Sequence, residues 1–290
     1  MKKGLIMEGG AMRGLFTCGV LDVFLENGIT FDGAAGISAG AVLGCNFKSH
    51  QIGRPLRYNK KYSKDPRYCS FSSLIKTGDL YGEQFCYHEL PEVLDPFDNE
   101  TFTNDPLNFY VGASDIETGE AVFHKCYDGR DEDLTWMRAS ASMPVVSRIV
   151  EIDGRKLLDG GIVCPVPYEF MEGRGYDRNI IILTQPEDFV KEKVKTLPLI
   201  RVALHKYPAI VKAMARRHDV YNLQMEEIKE RERRGEALVI RPDEALGISR
   251  TEKEPDELER VYQEGRRIAA ERLDEIKAFL EIKEPEISDR

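Results

Sequence analysis

Residues 36–40 read GISAG, a serine set between two glycines at the Gly-x-Ser-x-Gly spacing. The apolar run 29–37 predicts a strand before the serine, and residues 39–47 predict a helix after it. In such a strand–turn–helix the sharp turn exposes the serine hydroxyl, and the two glycines let the backbones approach each other. Ser38 is therefore a candidate nucleophile, although a serine just before a helix can also be an ordinary N-cap.

A second glycine-rich stretch, EGGAMRG at residues 8–14, has the same surroundings. It follows a predicted strand at Lys3–Met7 and precedes a predicted helix from Leu15 to Glu26, which Asn27-Gly28 ends. Two successive strand–turn–helix units predict a parallel α/β sheet.

The backbone N–H groups of the loop 8–14 converge at a helix N-terminus, which makes an anion site. One use is to bind a dinucleotide pyrophosphate, with Asp32 near the position of a ribose-binding acid. Ala11 replaces the glycine that lets pyrophosphate approach, and Glu8 adds negative charge, so both residues disfavour this use. The other use is an oxyanion hole for a tetrahedral intermediate, which also explains the serine motif.

The stretch LLDGG at residues 157–161 supplies an acid for the serine. The glycines after Asp159 let its carboxylate approach a hydroxyl, so Asp159 is a candidate base for Ser38. The same residues also suit a plain Asp-Gly turn. A Ser–acid–His order would need His205 or His218, and neither has a local context that marks it as catalytic. A histidine-dependent hydrolase is the weaker alternative.

Together the three stretches resemble the patatin-like phospholipase family. GGAMRG matches its glycine-rich oxyanion motif, GISAG its nucleophile motif and DGG its Asp-Gly-Gly/Ala motif. Their order and separations fit, as does RASASMP at residues 138–144, and the resemblance spans about residues 3–185. It implies a three-layer α/β/α fold with a mostly parallel central sheet. It also implies hydrolysis of acyl esters in lipids by a Ser–Asp dyad, without metal or cofactor. Ala11 departs from the glycine that the family often has there.

The resemblance assigns a role to each matched residue. Ser38 would be the nucleophile, and Asp159 the base that activates first Ser38 and then the deacylating water. The implied oxyanion hole consists of Gly9, Gly10, Ala11, Met12 and Arg13. The residues implied to support the motifs are Gly14, Gly36, Gly40, Gly160 and Gly161.

The overall composition limits the class of protein. With 290 residues, 42% hydrophobic and 31% charged, the chain is long enough for a full α/β core, and its net charge of -9 disfavours a nucleic-acid binder. The six cysteines show no CxxC pair, so we expect reduced thiols and no metal site. The first apolar run stops at Glu8, and no stretch reaches the roughly 18 apolar residues of a membrane span. We expect a cytoplasmic protein.

The composition changes after Pro186, so we divide the chain into a catalytic domain at 1–187 and a charged, helix-rich C-terminal region at 188–290. Lys191–Arg217 contains eight Lys or Arg and one acidic residue, mixed with apolar residues. The favoured interpretation is a helix packing on the core, and the alternative is peripheral contact with an anionic membrane. The expected partner is a lipid or other acyl ester. The alternative function is a non-catalytic lipid- or nucleotide-binding module.

Overall fold

The structure is a computed structural model that describes residues 1–282. Eight strands form its central sheet. Their bounds are β1 Lys2–Met7, β2 Gly33–Ile37, β3 Asn108–Asp115, β4 Ala121–Cys126, β5 Val150–Ile152, β6 Arg155–Asp159, β7 Tyr176–Ile182 and β8 Ala237–Ile240.

Twelve α-helices are described, with one π-helix at Phe85–Leu94 and short 3-10 turns at Ala11–Arg13 and Gly160–Ile162. The α-helices are α1 Gly14–Glu26, α2 Ala39–Val42, α3 Cys45–Lys48, α4 Arg54–Tyr62, α5 Phe71–Thr77, α6 Asn99–Asn104, α7 Asp131–Ser140, α8 Tyr168–Glu172, α9 Leu197–Ala203, α10 Pro208–Arg233, α11 Pro255–Glu271 and α12 Leu273–Phe279.

Five adjacent strands of the sheet are parallel, in the order β3-β2-β1-β7-β8. The hairpin strand β4 and the pair β5–β6 run antiparallel to their neighbours at the β3 end. Parallel neighbours need a crossover segment between them, which the intervening helices supply. The prediction of a mostly parallel sheet is confirmed.

Apolar cores cover both faces of the sheet. Along β1, Leu5 and Met7 point into the larger core, whereas Ile6 points into the core on the opposite face. This alternation follows from the two-residue period of a strand. Helices α1 and α11 pack in the larger core, and α8 and α10 contribute to the cores on the other side. The predicted three-layer α/β/α class is confirmed.

Helix α1 is enclosed by protein along nearly its whole length, since every residue from Gly14 to Phe24 is buried. Its outer partner is α11, more than 200 residues later in the chain. A Cβ added at Gly265 of α11 would overlap the carbonyl oxygen of Phe16, and one added at Gly19 would overlap that of Tyr262. The two backbones therefore touch, which only glycine permits at these positions.

The C-terminal region is part of the same structure. Strand β8 extends the sheet beside β7, and the apolar residues Ile200, Leu204, Ile210 and Met214 of the basic segment are buried in one core. Their burial agrees with the favoured packing interpretation for Lys191–Arg217. Contact of this segment with a membrane stays a prediction, as does the domain division after residue 187. None of the described helices is long and apolar enough to cross a bilayer.

Three predicted elements differ in extent from the structure. Strand β2 starts at Gly33 rather than Ile29, because the N–H of Ile29 still bonds to the carbonyl of Phe24 at the end of α1. The helix expected over 39–47 is two short helices, α2 and α3. The single C-terminal helix expected from Leu258 to Phe279 breaks at Arg272, whose guanidinium donates to the carbonyl of Val239 at 2.6 Å.

Candidate active site

Strands β2 and β6 approach each other end to end along one side of β3. The last residue of β2, Ile37, pairs with Gly112, and the last residue of β6, Asp159, pairs with the next residue, Ala113. Both strands lie on the side of β3 opposite β4, because β4 pairs with the same β3 residues. Ser38, which follows Ile37, is thereby brought beside Asp159 although 120 residues separate them in the chain.

The turn at Ser38 has an unusual backbone conformation. Its φ of 54° and ψ of -118° lie in a region that non-glycine residues rarely adopt, and such strain persists only where the surroundings impose it. The Ser38 N–H donates to Ser140 Oγ at 2.8 Å, and that hydroxyl donates to the carbonyl of Gly112 at 2.6 Å. The Ser38 side chain makes no capping hydrogen bond to α2, so its interpretation as a helix cap is wrong.

The glycines on either side of Ser38 are required by close backbone contacts. A Cβ on Gly36 would overlap the carbonyl of Gly40, and a Cβ on Gly40 would overlap that of Met7. The turn is therefore pressed against both its own helix and strand β1, as a sharp strand-to-helix turn requires.

Asp159 is buried, with 2% of its surface exposed. Its N–H donates to the carbonyl of Ser142 at 2.8 Å, and its Oδ1 accepts the N–H of Gly161 at 2.8 Å. Burial raises the pKa of the Asp159 carboxyl, while the charge of Arg217 and the side chain of Ser38 act to lower it. The Ser38 side chain lies close enough to this carboxylate to act on its pKa through hydrogen bonding, as a nucleophile and its base require.

The glycine-rich loop closes the site from β1. A Cβ on Gly9 would lie 2.8 Å from the Cβ of Ser38, so this backbone abuts the serine. In the described part of the chain, the N–H groups of Gly9 and Gly10 donate to no protein acceptor, which leaves them available to an anion. Ala11 has a φ of 50°, in the left-handed region that favours glycine.

The remaining loop residues lead into α1. Met12 is buried, and a Cβ on Gly14 would lie 2.8 Å from that of Ala39, so α1 starts directly against α2. The Arg13 side chain lies beside Glu8, and its buried Nε has no hydrogen-bond partner. Burial lowers the pKa of Arg13, and the charge of Glu8 opposes that shift.

Glu8 links the loop to the neighbouring strand and to α10. Its buried carboxylate accepts the N–H of Thr184 at 2.6 Å and the hydroxyl of Tyr221 at 2.9 Å. Thr184 also blocks any side chain at Gly10, where a Cβ would lie 2.6 Å from its Oγ1.

Gly160 and Gly161 follow Asp159 and form the part of the site at the end of β6. A Cβ on Gly160 would overlap the carbonyl of Gly112, so this glycine lets β6 end against β3. The carbonyl of Gly161 accepts a hydrogen bond from Arg217 Nε at 2.6 Å. Every predicted site residue thus lies in one region, between the carboxyl ends of β1 and β2 and the end of β6.

Ser38 lines a cavity of about 540 Å³. Most of its wall is apolar or aromatic, including Tyr58, Leu90 and Met137. Cavities of this size and character are typical of binding sites for small, largely apolar ligands. Leu199 and Arg250 also line the cavity and are exposed, so they mark its open end.

The histidines are not part of this site. No histidine lines the cavity or bonds to Ser38 or Asp159 in the described residues. His205 contacts the carbonyl of Val202 at 3.0 Å, and His218 pairs with Asp219 at 3.2 Å. The geometry therefore gives no support to a histidine-dependent hydrolase.

One group of three residues in residues 1–282 has the side chains of a metal site, namely His124, Cys126 and Asp133. Asp133 Oδ2 accepts three successive backbone N–H groups from the loop 127–129, and its Oδ1 bonds to His124 at 2.7 Å. Burial acts to raise the pKa of Asp133, but these hydrogen bonds outweigh it and lower the pKa. Protein groups already donate hydrogen bonds to this carboxylate, which indicates a structural role for Asp133 in holding the loop 127–129. The absence of a metal stays a prediction.

Several residues of the site were not identified from the sequence. Ser140 and Ser142 hold the N–H groups of Ser38 and Asp159, and both lie in the stretch that we matched only as part of a motif. Arg217 and Tyr221 on α10 also reach the site. Arg217 ends the segment Lys191–Arg217, whose excess of basic residues was its only signal, and nothing in the sequence singled out Tyr221.

Two family models match the chain. One is described as a patatin-like phospholipase and matches residues 5–171, more than half of the chain. The other is a domain of unknown function, DUF6363, and matches residues 207–281.

Individual proteins are more distantly similar. The uncharacterized protein YjjU of Escherichia coli is 28% identical over 63% of this chain and 52% of its own length. Lysophospholipase NTE1 of Chaetomium globosum is 27% identical over 60% of this chain and 11% of its own. The chain thus spans about half of one relative and a small part of the other. The structure of VipD from Legionella pneumophila aligns over 94% of this chain and 67% of its own, at 12% identity and a TM-score of 0.49.

Proposed function

This chain belongs to the patatin-like phospholipase family, and on that premise we propose that it is a serine acyl hydrolase of the phospholipase A or lysophospholipase type. The observation that carries the proposal is that β2 and β6 end beside each other on β3, which sets Ser38 beside Asp159. Ser38 also lines an apolar cavity suited to an acyl chain. One relative, NTE1 of Chaetomium globosum, is named a lysophospholipase.

The proposed reaction has two steps. Asp159 accepts the hydroxyl proton as Ser38 Oγ attacks the ester carbonyl, and the negative oxygen of the tetrahedral intermediate receives hydrogen bonds from the amides of Gly9 and Gly10. The intermediate expels the alcohol, which takes the proton from Asp159 and leaves an acyl-serine ester. Asp159 then accepts a proton from water as the water oxygen attacks the acyl carbon. As this second intermediate collapses, Asp159 returns the proton to Ser38 Oγ, and the fatty acid and free Ser38 are released.

The electrostatics of Asp159 suit this role. A carboxylate of ordinary pKa is a weak base at neutral pH, and burial raises the pKa of Asp159 towards the working range. The charge of Arg217 and the Ser38 side chain act against this rise and favour the ionised form that accepts a proton.

Hydrolysis should depend on acyl chain length. For p-nitrophenyl esters from acetate upwards, we expect kcat/KM to rise with each added CH2, because each buried methylene contributes about 0.8 kcal/mol, or about fourfold. The rise should stop once the cavity of about 540 Å³ is filled. A profile that is flat from the shortest chain would contradict the acyl-chain assignment. Absence of hydrolysis at every length would favour the alternative, a non-catalytic lipid- or nucleotide-binding module.

The pH profile should report the pKa of Asp159. The base must be ionised to accept a proton, so kcat/KM falls as pH falls through this pKa. Because burial raises it, the acidic limb should lie above the usual aspartate value of about 3.9. Arg217→Gln removes a charge that lowers the pKa, so its limb should move to higher pH, whereas Arg216→Gln, on an exposed neighbour, should leave it unmoved. A limb at or below the usual value, in protein that stays folded, would refute the role of Asp159.

A further inference from the structure

Four basic side chains gather beside the proposed active site, and three of them come from beyond the segment that matches the patatin-like family. They are Arg13, Lys191, Arg217 and Arg250, here called the cationic cluster. Arg250 lines the same cavity as Ser38 and stands exposed at its open end.

Lys191 is held in place by α10. Its N–H donates to the Asn222 side-chain oxygen at 2.8 Å, and its carbonyl accepts from the Asn222 amide at 3.1 Å. Its ammonium rests 4.0 Å from the centre of the Tyr221 ring, whose hydroxyl bonds to Glu8. The ammonium is thereby directed towards the glycine-rich loop rather than into solvent.

Arg217 places a second positive charge close to Asp159. One guanidinium nitrogen, Nε, is used by the carbonyl of Gly161, and its Nη2 lies 3.4 Å from where a Cβ on Gly161 would be. Arg13 lies in the glycine-rich loop, and its buried Nε has no hydrogen-bond partner. Among the described residues, both arginines therefore have N–H groups that bond to no protein acceptor.

The positive charge of this cluster exceeds the negative charge beside it. Among the described residues, none of the four cations forms an ion pair within 4.0 Å, and the carboxylates that act on Arg13, Lys191 and Arg217 are Glu8 and Asp159. Burial, followed by the charge of Arg217, lowers the pKa of Lys191 to about 8. Four cations that face two carboxylates leave a surplus of positive charge, which attracts an anion.

We propose that the cationic cluster binds the phosphate of a single-chain phospholipid whose headgroup carries net negative charge, while the acyl chain occupies the cavity. This inference rests on the proposed function and narrows its substrate class. Arginine guanidinium groups are suited to phosphate because they donate two parallel hydrogen bonds to it. In a lysophospholipid, a three-carbon glycerol separates the phosphate from the ester. The phosphate must therefore bind close to the ester carbon that Ser38 attacks, and the cationic cluster lies at that place.

Binding can be tested apart from hydrolysis in the Ser38→Ala protein. We expect titration calorimetry to give an affinity for dodecyl phosphate at least tenfold above that for dodecyl maltoside, which has the same chain and no charge. Lys191→Gln and Arg250→Gln, added singly, should each weaken dodecyl phosphate binding about tenfold, whereas Lys193→Gln, an exposed lysine two residues away, should not. Equal affinity for the two amphiphiles, or an equal loss with Lys193→Gln, would overturn the proposal.

Inorganic phosphate separates the two sources of the anion. If it binds as tightly as dodecyl phosphate, the ligand is free phosphate and the lipid assignment fails. If inorganic phosphate binds weakly but competes with dodecyl phosphate, the result supports a site for the phosphate of a lipid headgroup.

The pH dependence of binding gives a second readout. Lys191 carries its charge below a pKa of about 8 and loses it above, so dodecyl phosphate affinity should fall as pH rises from 7 to about 10. The groups that face it are Glu8, Arg13, Arg217, Arg250 and Tyr221, and the arginines keep their charge throughout. Lys191→Gln should remove this fall in affinity, and retention of the fall would contradict the role of Lys191.

Hydrolysis by the wild-type protein distinguishes failure of this inference from failure of the proposed function. We expect lysophosphatidylglycerol to exceed monoacylglycerol of the same chain in kcat/KM by tenfold or more. Equal rates on both would leave the hydrolase standing and overturn the anion preference. If neither lipid is hydrolysed but dodecyl phosphate binds selectively, the anion site is supported and the proposed hydrolase function is refuted.

Discussion

Replacing Ser38 with alanine is expected to lower kcat/KM for a p-nitrophenyl ester by roughly six orders of magnitude, because no other group can form the acyl-serine. Asp159→Asn should lower it by roughly four orders, since an amide cannot accept the proton. Neither change removes apolar packing, so circular dichroism and the thermal midpoint should show that both variants remain folded.

The double variant makes the test of the dyad sharper. Residues that act as one unit are strongly non-additive, so Ser38→Ala with Asp159→Asn should be no slower than Ser38→Ala alone. A fluorophosphonate probe should label wild-type protein at Ser38, and Ser72→Ala, which alters an exposed serine, should leave labelling intact. Label on another residue, or robust activity without Ser38, would refute the assignment.

Replacing Gly265 with alanine should destabilise the protein by about 3 kcal/mol, the upper end for overpacking, because the new methyl overlaps the backbone of Phe16. Helix propensity acts in the opposite direction, since alanine in a helix interior is better than glycine by about 0.5–1 kcal/mol. Steric overlap between two backbones has no flexible side chain to relieve it, so it should dominate. Gly19→Ala should behave alike, as a Cβ there overlaps the carbonyl of Tyr262.

A matched change on the same helix isolates the steric effect. Ala270 is exposed on α11, and Ala270→Gly should destabilise only by the propensity difference, about 0.5–1 kcal/mol. Urea unfolding of the three variants gives the comparison. If Gly265→Ala stabilises the protein, then α1 and α11 do not touch as described.

Local patterns in the sequence were enough to predict the elements around the motifs. The apolar run at Lys3–Met7, the glycine stop after Glu26 and the paired strands around Asp153-Gly154 each depend on residues close in the chain. Contacts with distant strands were not visible in these local patterns. The C-terminal helix is interrupted at Arg272, whose guanidinium bonds to the carbonyl of Val239 in β8.

Some residues of the candidate site could likewise be predicted from local sequence patterns, and others could not. Ser38 and the glycine-rich loop were predictable because each motif carries its own geometric requirement, and Asp159 because its two glycines mark a close approach. The basic residues of the C-terminal region, such as Arg217, were not predictable, because an isolated arginine on a helix shows no sign of what it faces. Arg217 reaches Gly161 only through the packing of α10 on the end of β6.

The backbone contact of α1 with α11, at Gly19 and Gly265, also affects the order of events during synthesis. The ribosome makes the serine motif early, but the helix that braces α1 begins more than 210 residues later. At translation rates of about 5–20 residues per second, roughly 10 to 45 s pass between the two. A nascent or truncated chain would hold its glycine-rich loop on an unsupported helix. Under the proposed function, the chain would become able to hydrolyse lipid only once α11 had packed against α1.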